Sequence, residues 1–235
     1  MARLSTGIME LNKKLQGGIP EGECILIAGE PGTGKTIMGM QFLYNACKEG
    51  KKCALIATEE TPEKIMIHAK ALGFDLEPFV ENNQLSMIRF LEMRAYDVDE
   101  EYNSNYMQID DISNLIHMMQ DDIDVIVLDN LGTFSIGVDL KEFRDKVDML
   151  AYLLSKQKRT SIITIDATAH ELTHKIAEYS TYGTIRLMVK ENPYTGKMER
   201  FMYIPKMRGT KLSMELIGYD ITEEGIKLSP PKTNK

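Results

Sequence analysis

Short apolar runs alternate along the chain with longer stretches in which apolar residues recur at helical spacing. The runs predict strands at 23–28, 53–58, 85–90, 124–128 and 161–165, and the spacing predicts helices near 35–49, 62–72, 108–120 and 140–157. The helix at 62 carries its own start and stop signals. Thr61 is a capping residue, Pro62 sits in the first turn where no N–H is needed, and Gly73 ends the helix. Strand and helix in alternation imply a mostly parallel sheet flanked by helices. From about residue 184 the pattern changes to successive strands, with the hairpin-turn residues Glu191-Asn192-Pro193-Tyr194-Thr195-Gly196-Lys197 between two of them. The expectation is one α/β domain over 1–235, with a core over about 4–190, an antiparallel β-hairpin region over about 184–228 and a short tail at 229–235. Residues 92–107 break the pattern. They are acidic, carry Tyr96, Tyr102 and Tyr106, and read as an exposed loop, either a mobile insertion or a partner-binding or lid segment.

Composition narrows the function classes. Hydrophobic residues make up 43% of the 235, ample for a core. No apolar run approaches the roughly 18 residues of a membrane span, so no membrane association is expected. Met1–Thr6 lacks the apolar stretch of a signal peptide, which points to the cytoplasm. A net charge of −7 argues against a uniform nucleic-acid surface. Lys156–Arg159 and Lys206–Lys211 are the local basic clusters, and both read as solvated helix and strand ends. Cys24, Cys47 and Cys53 lack metal-ligand spacing and read as buried thiols of a reducing compartment. The 16 methionines read as core filler.

The candidate chemistry centres on Gly29-Glu30-Pro31-Gly32-Thr33-Gly34-Lys35-Thr36, a full match to G-x-x-x-x-G-K-[ST], with the strand Cys24–Ala28 before it and a helix after it. Glycines let the backbone bend so that N–H groups converge on phosphate oxygens, and the new helix turns its positive end toward the same anion. Lys35 then reaches the β- and γ-phosphates of ATP, and the Thr36 hydroxyl holds Mg²⁺. Asp129 closes the apolar strand before it, the place for a second Mg²⁺ ligand, directly or through water. Glu59 and Glu60 follow the strand Ala54–Thr58. In a parallel sheet they emerge on the rim of the phosphate loop, where a carboxylate orients and deprotonates an attacking water. Asp166, at the end of the fifth strand, reads as a strand cap.

These motifs, with Ser5-Thr6-Gly7-Ile8, Leu15-Gln16-Gly17-Gly18-Ile19-Pro20-Glu21-Gly22, Glu59-Glu60-Thr61-Pro62, Gly73-Phe74-Asp75-Leu76, Lys206-Met207-Arg208-Gly209-Thr210 and Ile221–Ile226, resemble the RecA superfamily, most closely its KaiC-like branch. The resemblance covers nearly the whole chain. A single-domain archaeal RadA paralogue of KaiC-like type fits it best. It implies a RecA-like P-loop ATPase core in which ATP lies between neighbouring subunits of a homo-oligomer. Lys206 and Arg208 would then reach the γ-phosphate of the adjacent protomer's ATP. It also implies a γ-phosphate-sensing polar group at the place of Asp166, the alternative to a strand cap. It further implies an accessory role in DNA recombination or repair, with single-stranded DNA or a recombinase as partner. The alternatives are a regulatory module that uses ATP as a switch for partner binding, and a self-phosphorylating signalling kinase. The chain has one such domain where the clock protein of that branch has two, and no match to its phosphorylated Ser/Thr pair. Asn12 stands where the family commonly has Asp.

The stretches matching the DNA-contacting loops of RecA-type proteins are about 131–139 and 167–182. The first has no Lys or Arg, and the second has only Lys175, with His170, His174, Tyr179 and Tyr182. Aromatics and backbone amides bind single strands, but the electrostatic drive here is weak. His170-Glu171-Leu172-Thr173-His174 also matches H-E-x-x-H, a zinc pattern when it lies on a helix, with Glu191 or Glu199 as a third ligand. It falls where the ATPase reading expects a loop, and five residues with three fixed match easily by chance.

Overall fold

The computed structural model describes residues 1–89, 121–166, 171–192 and 196–229. The elements run β1 (Arg3–Leu4), α1 (Met9–Lys14), β2 (Ile19–Pro20), β3 (Cys24–Gly29), α2 (Lys35–Lys48), β4 (Cys53–Ala57), α3 (Pro62–Ala71), α4 (Glu77–Glu81), β5 (Leu85–Arg89), β6 (Val125–Asp129), a 3₁₀ turn (Leu131–Ser135), α5 (Leu140–Lys156), β7 (Thr160–Asp166), α6 (Glu171–Ser180), β8 (Gly183–Glu191), β9 (Met198–Met207), β10 (Ile217–Thr222) and β11 (Gly225–Leu228). Nine of the strands form one sheet in the order β11-β10-β9-β8-β3-β7-β6-β4-β5. Pairs from β8 to β5 are parallel. Pairs from β8 to β11 are antiparallel. The α/β expectation with an antiparallel end is what the sheet shows.

The central strands read as unbroken apolar runs because both faces are covered. In β3, Ile25 and Ile27 enter one core layer with Met38, Phe42 and Leu43 of α2. Cys24, Leu26 and Ala28 enter the other with Phe143, Val147 and Leu150 of α5. Strands β4 and β6 divide in the same alternating way. The cap chemistry holds: Thr61 Oγ1 accepts from Lys64 N at 3.4 Å and Asp139 Oδ1 from Glu142 N at 2.8 Å. All three cysteines are buried.

Several expectations are corrected. The stretch 167–182, read as a loop, contains the helix α6, and 131–139 contains the 3₁₀ turn. The short helices α1 and α4 and the β1–β2 pair were not expected. Asn12 ties the opening segment together. Its Oδ1 accepts from Thr6 N at 2.8 Å and from Thr6 Oγ1 at 2.7 Å, and its Nδ2 donates to Ser5 Oγ at 2.8 Å. Arg159, read as solvated, is buried, 2% exposed. The loop at 92–107, the helix at 108–120, His170 and the turn at 193–195 lie outside the described residues. Among the described residues no helix is long and apolar enough to cross a membrane.

The C-terminal hairpin docks on the first half of the chain. Gln41 of α2 accepts from Ile226 N at 2.8 Å through Oε1, and Gly225, at φ 86°, packs so closely that a β-carbon there would lie 2.3 Å from Phe74 Cζ. The same hairpin supports the bend after β3, where the Tyr219 hydroxyl donates to Thr33 O at 2.6 Å.

Candidate functional site

Parallel register sets the geometry. Gly29 at the end of β3 pairs with Asp166 at the end of β7, and Ala57 of β4 pairs with Asp129 of β6. The phosphate-loop segment, both acids and Glu59 therefore share the carboxyl rim of the sheet, where open α/β sheets bind ligands.

The bend 29–34 is enforced by its residues. Gly32 and Gly34 have φ of 77° and 95°, a region open to glycine. A β-carbon at Gly29 would lie 2.6 Å from Leu187 O, so only glycine fits at the strand's end. Thr33 folds inward, its hydroxyl donating to Glu30 O at 2.7 Å. Glu30, Pro31 and Gly32 are exposed at the outer arc. The helix α2 begins at Lys35 with its unpaired N–H groups facing the bend, as an anion site requires.

Lys35 is buried, its ammonium donating to Glu30 O at 3.2 Å and paired with the Asp166 carboxylate. That pair gives Asp166 a definite place in the site, beside the lysine of the loop. Thr36 Oγ1 donates to Asp129 Oδ2 at 2.7 Å, and Thr164 Oγ1 donates to Asp129 Oδ1. A hydroxyl and a carboxylate converging beside the loop are hard oxygen donors, the set that suits Mg²⁺. Burial pushes the Asp129 carboxyl above its ordinary range, against the hydrogen bonds from Thr164 and Thr36 and the charge of Lys35. A divalent cation there would favour the ionised form.

The two glutamates part company. Glu59 Oε1 accepts from Asn130 Nδ2 at 2.9 Å, and the same amide donates to Asp166 Oδ2 at 2.9 Å. Glu60 points away, with Oε2 3.2 Å from His68 Nδ1 on the helix surface. Desolvation raises the Glu59 pKa, opposed by the Asn130 hydrogen bond and reinforced by Asp166 and Asp129. Glu59, Asn130 and Asp166 form one wall of a cleft of about 830 Å³ that continues past Thr133 and Ser135 to Leu140 and Thr173. Sequence reasoning missed Asn130. It follows a strand-end Asp, and its bonding became visible only when β4 and β7 were placed beside it.

Lys206 and Arg208 stand elsewhere. Lys206 pairs with Thr184, Met207 with Gly183, and Gly183 with Ile25, so both cations sit at the amino end of the strands. Ile25 lies four positions before Gly29, roughly 13 Å along the strand. Arg208 lines a small pocket with Glu23, Asp148, Tyr152 and Ser180, and its charge opposes the desolvation that raises the Glu23 pKa. Lys206 donates to Glu178 O at 2.7 Å, to Tyr179 O at 3.2 Å and to Thr181 O. Neither side chain faces its own subunit's phosphate loop.

Of the H-E-x-x-H pattern, His170 lies outside the described residues, and the described members do not gather with a third ligand. His174 is buried on α6 with Nε2 2.5 Å from Asp166 O, and Glu199 Oε1 accepts from Asn192 Nδ2 at 2.6 Å. Among the described residues no group of three or more His, Cys, Asp or Glu is placed to hold a metal.

The sheet order, the glycine bend and the Lys35, Thr36 and Asp129 cluster define a RecA-like P-loop protein. The family described as "ATPase: KaiC" matches residues 4–233, and the chain belongs to that family. A UPF0273 protein of Pyrococcus horikoshii is 31% identical over 99% of this chain and 96% of its own length. Another, of Saccharolobus solfataricus, is 32% identical over 96% of this chain and 82% of its own. The crystal structure of a KaiC-like protein from Pyrococcus horikoshii OT3 superposes with a TM-score of 0.80 at 22% identity, covering 97% of this chain and 99% of that one, which shows the shared fold.

Proposed function

We propose that the protein binds and hydrolyses Mg-ATP on the carboxyl rim, in a homo-oligomer where Lys206 and Arg208 of one subunit complete the neighbour's site. One observation carries this reading: a loop, a metal-ligand pair and a carboxylate converge on one rim, while the two cations that match the family signature lie on the other. The loop amides and Lys35 grip the β- and γ-phosphates, which requires Lys35 to leave Asp166. Mg²⁺, held by Thr36 and Asp129, would neutralise charge between those phosphates. Glu59 orients the attacking water and takes its proton as the water adds in line to the γ-phosphorus. Cations from the adjacent subunit offset the charge on the transferring group.

An ATP-driven switch for partner binding accounts for the described surface better than an accessory recombinase of RadA type. Residues 131–139 carry no cation, and Lys175 of α6 is paired with Glu171 at 2.6 Å. The test is steady-state phosphate release with Mg-ATP. Wild-type protein turns over, and Lys35→Ala neither binds nor turns over ATP. Equal rates for the two would refute the site. Adding single-stranded DNA at two salt concentrations decides the role, since stimulation that fades with salt would favour recombination or repair.

A further inference from the structure

We propose that α6 ties adjacent ATP sites together, with His174 as a positioning residue at one end and Lys206 as a releasable clamp at the other. The inference rests on the reading that Lys206 acts on a neighbour's ATP. Helix α6 crosses the sheet from the carboxyl rim to the amino rim. Near its start, His174 Nε2 lies 2.5 Å from the main-chain oxygen of Asp166, whose carboxylate pairs with Lys35. One turn further on, Glu178 begins the last turn, whose carbonyls have no partners within the helix. The Lys206 ammonium takes up three oxygens there, on Glu178, Tyr179 and Thr181, so all its donors are in use. It also complements the negative end of the helix dipole. The Lys206 side chain is half-buried beside Arg208, and burial first, then the Arg208 charge, lowers its pKa.

An ammonium with three acceptors in place cannot also engage a phosphate. To reach the γ-phosphate of a neighbour's ATP, Lys206 leaves α6, and the helix end loses its clamp. The buried contact of His174 with the strand end carries that loss to Asp166. Asp166 competes with ATP for Lys35, so a loosened Asp166 frees Lys35 for phosphate. The coupling is therefore positive: ATP in one site raises the affinity of the next, by about tenfold, a size usual for coupled sites.

The test is equilibrium binding of a non-hydrolysable ATP analogue with Mg²⁺ to the assembled protein, read beside phosphate release with ATP. Wild-type binding is expected to be cooperative, with a Hill coefficient above one. His174→Ala abolishes the cooperativity and keeps the dependence of turnover on Arg208. His174→Gln, which keeps a side-chain donor for Asp166 O, restores cooperativity and controls for folding. Lys206→Ala, which has no clamp to release, binds the analogue without cooperativity. Non-cooperative wild-type binding overturns the tie, as does cooperativity that survives in a folded His174→Ala protein. If Lys206→Ala and Arg208→Ala leave turnover unchanged, the intersubunit reading itself fails, a result distinct from failure of the tie.

Discussion

Glu59 and Glu60 are adjacent in sequence and differ in what surrounds them. The Glu59 carboxylate shares the Asn130 amide with Asp166, while Glu60 meets His68 on an exposed helix face. Glu59→Gln is therefore expected to keep ATP binding and to lower kcat by about 10²–10⁴-fold, the span of a lost general base. Glu60→Gln stays within a few-fold of wild type in the same assay. In its proposed role as base Glu59 would act only when ionised, so the rate would also report its protonation. Desolvation holds its pKa above the ordinary 4.5, and the Asn130 hydrogen bond pulls it back down. Turnover accordingly falls as pH drops through a value above 4.5. Asn130→Ala removes the stabilising bond, so the acid limb of its kcat profile moves to higher pH. A limb in the wild-type position would show that the group titrating there is not Glu59.

Strands were legible where burial on both faces writes an unbroken apolar run. Cys24–Gly29, Cys53–Ala57 and Val125–Asp129 fall within a residue or two of the expected bounds for that reason. Helix α6 was not legible because its packing face is partly polar. Thr173 and His174 are buried beside Ala177, while Leu172 and Tyr179 are exposed, so only Ile176 and Ala177 give the core face an apolar mark. The loop 29–36 was legible because every step of the motif is local. The Lys35–Asp166 pair and the Asn130 bridge join segments far apart in sequence, which no local pattern encodes. The same holds for Tyr219, whose hydroxyl reaches Thr33 O across 186 residues. Tyr219→Phe removes that support from the bend. The expected result is a higher KM for ATP at nearly unchanged kcat, with a loss of about 1 kcal/mol in denaturant midpoint measurements. Gly225→Ala acts on the same hairpin through sterics. At φ 86° with Phe74 Cζ 2.3 Å from the new carbon, it is expected to destabilise by about 1–3 kcal/mol.

At the scale of the whole molecule, a subunit carries its phosphate loop and its Lys206–Arg208 pair on opposite rims of one sheet. In the proposed assembly a heterologous, head-to-tail contact would bring the two together and would repeat around a ring or along a filament. Arg208→Ala is expected to lower turnover without rescue by more ATP, because the missing group acts on the transition state rather than on binding. Lys35→Ala is inactive for a different reason, since its own loop is empty while its Arg208 is intact. Mixing the two impaired variants is therefore expected to raise activity above that of either alone. An interface works when an Arg208→Ala subunit supplies the loop and a Lys35→Ala subunit supplies the cations, which random assembly gives in about one quarter of contacts. Co-assembled protein at equal input should recover roughly that share of wild-type specific activity in a phosphate-release assay, and dilution below the assembly concentration should abolish it. A co-assembled mixture no more active than its parents would mean that Arg208 does not serve the neighbouring loop.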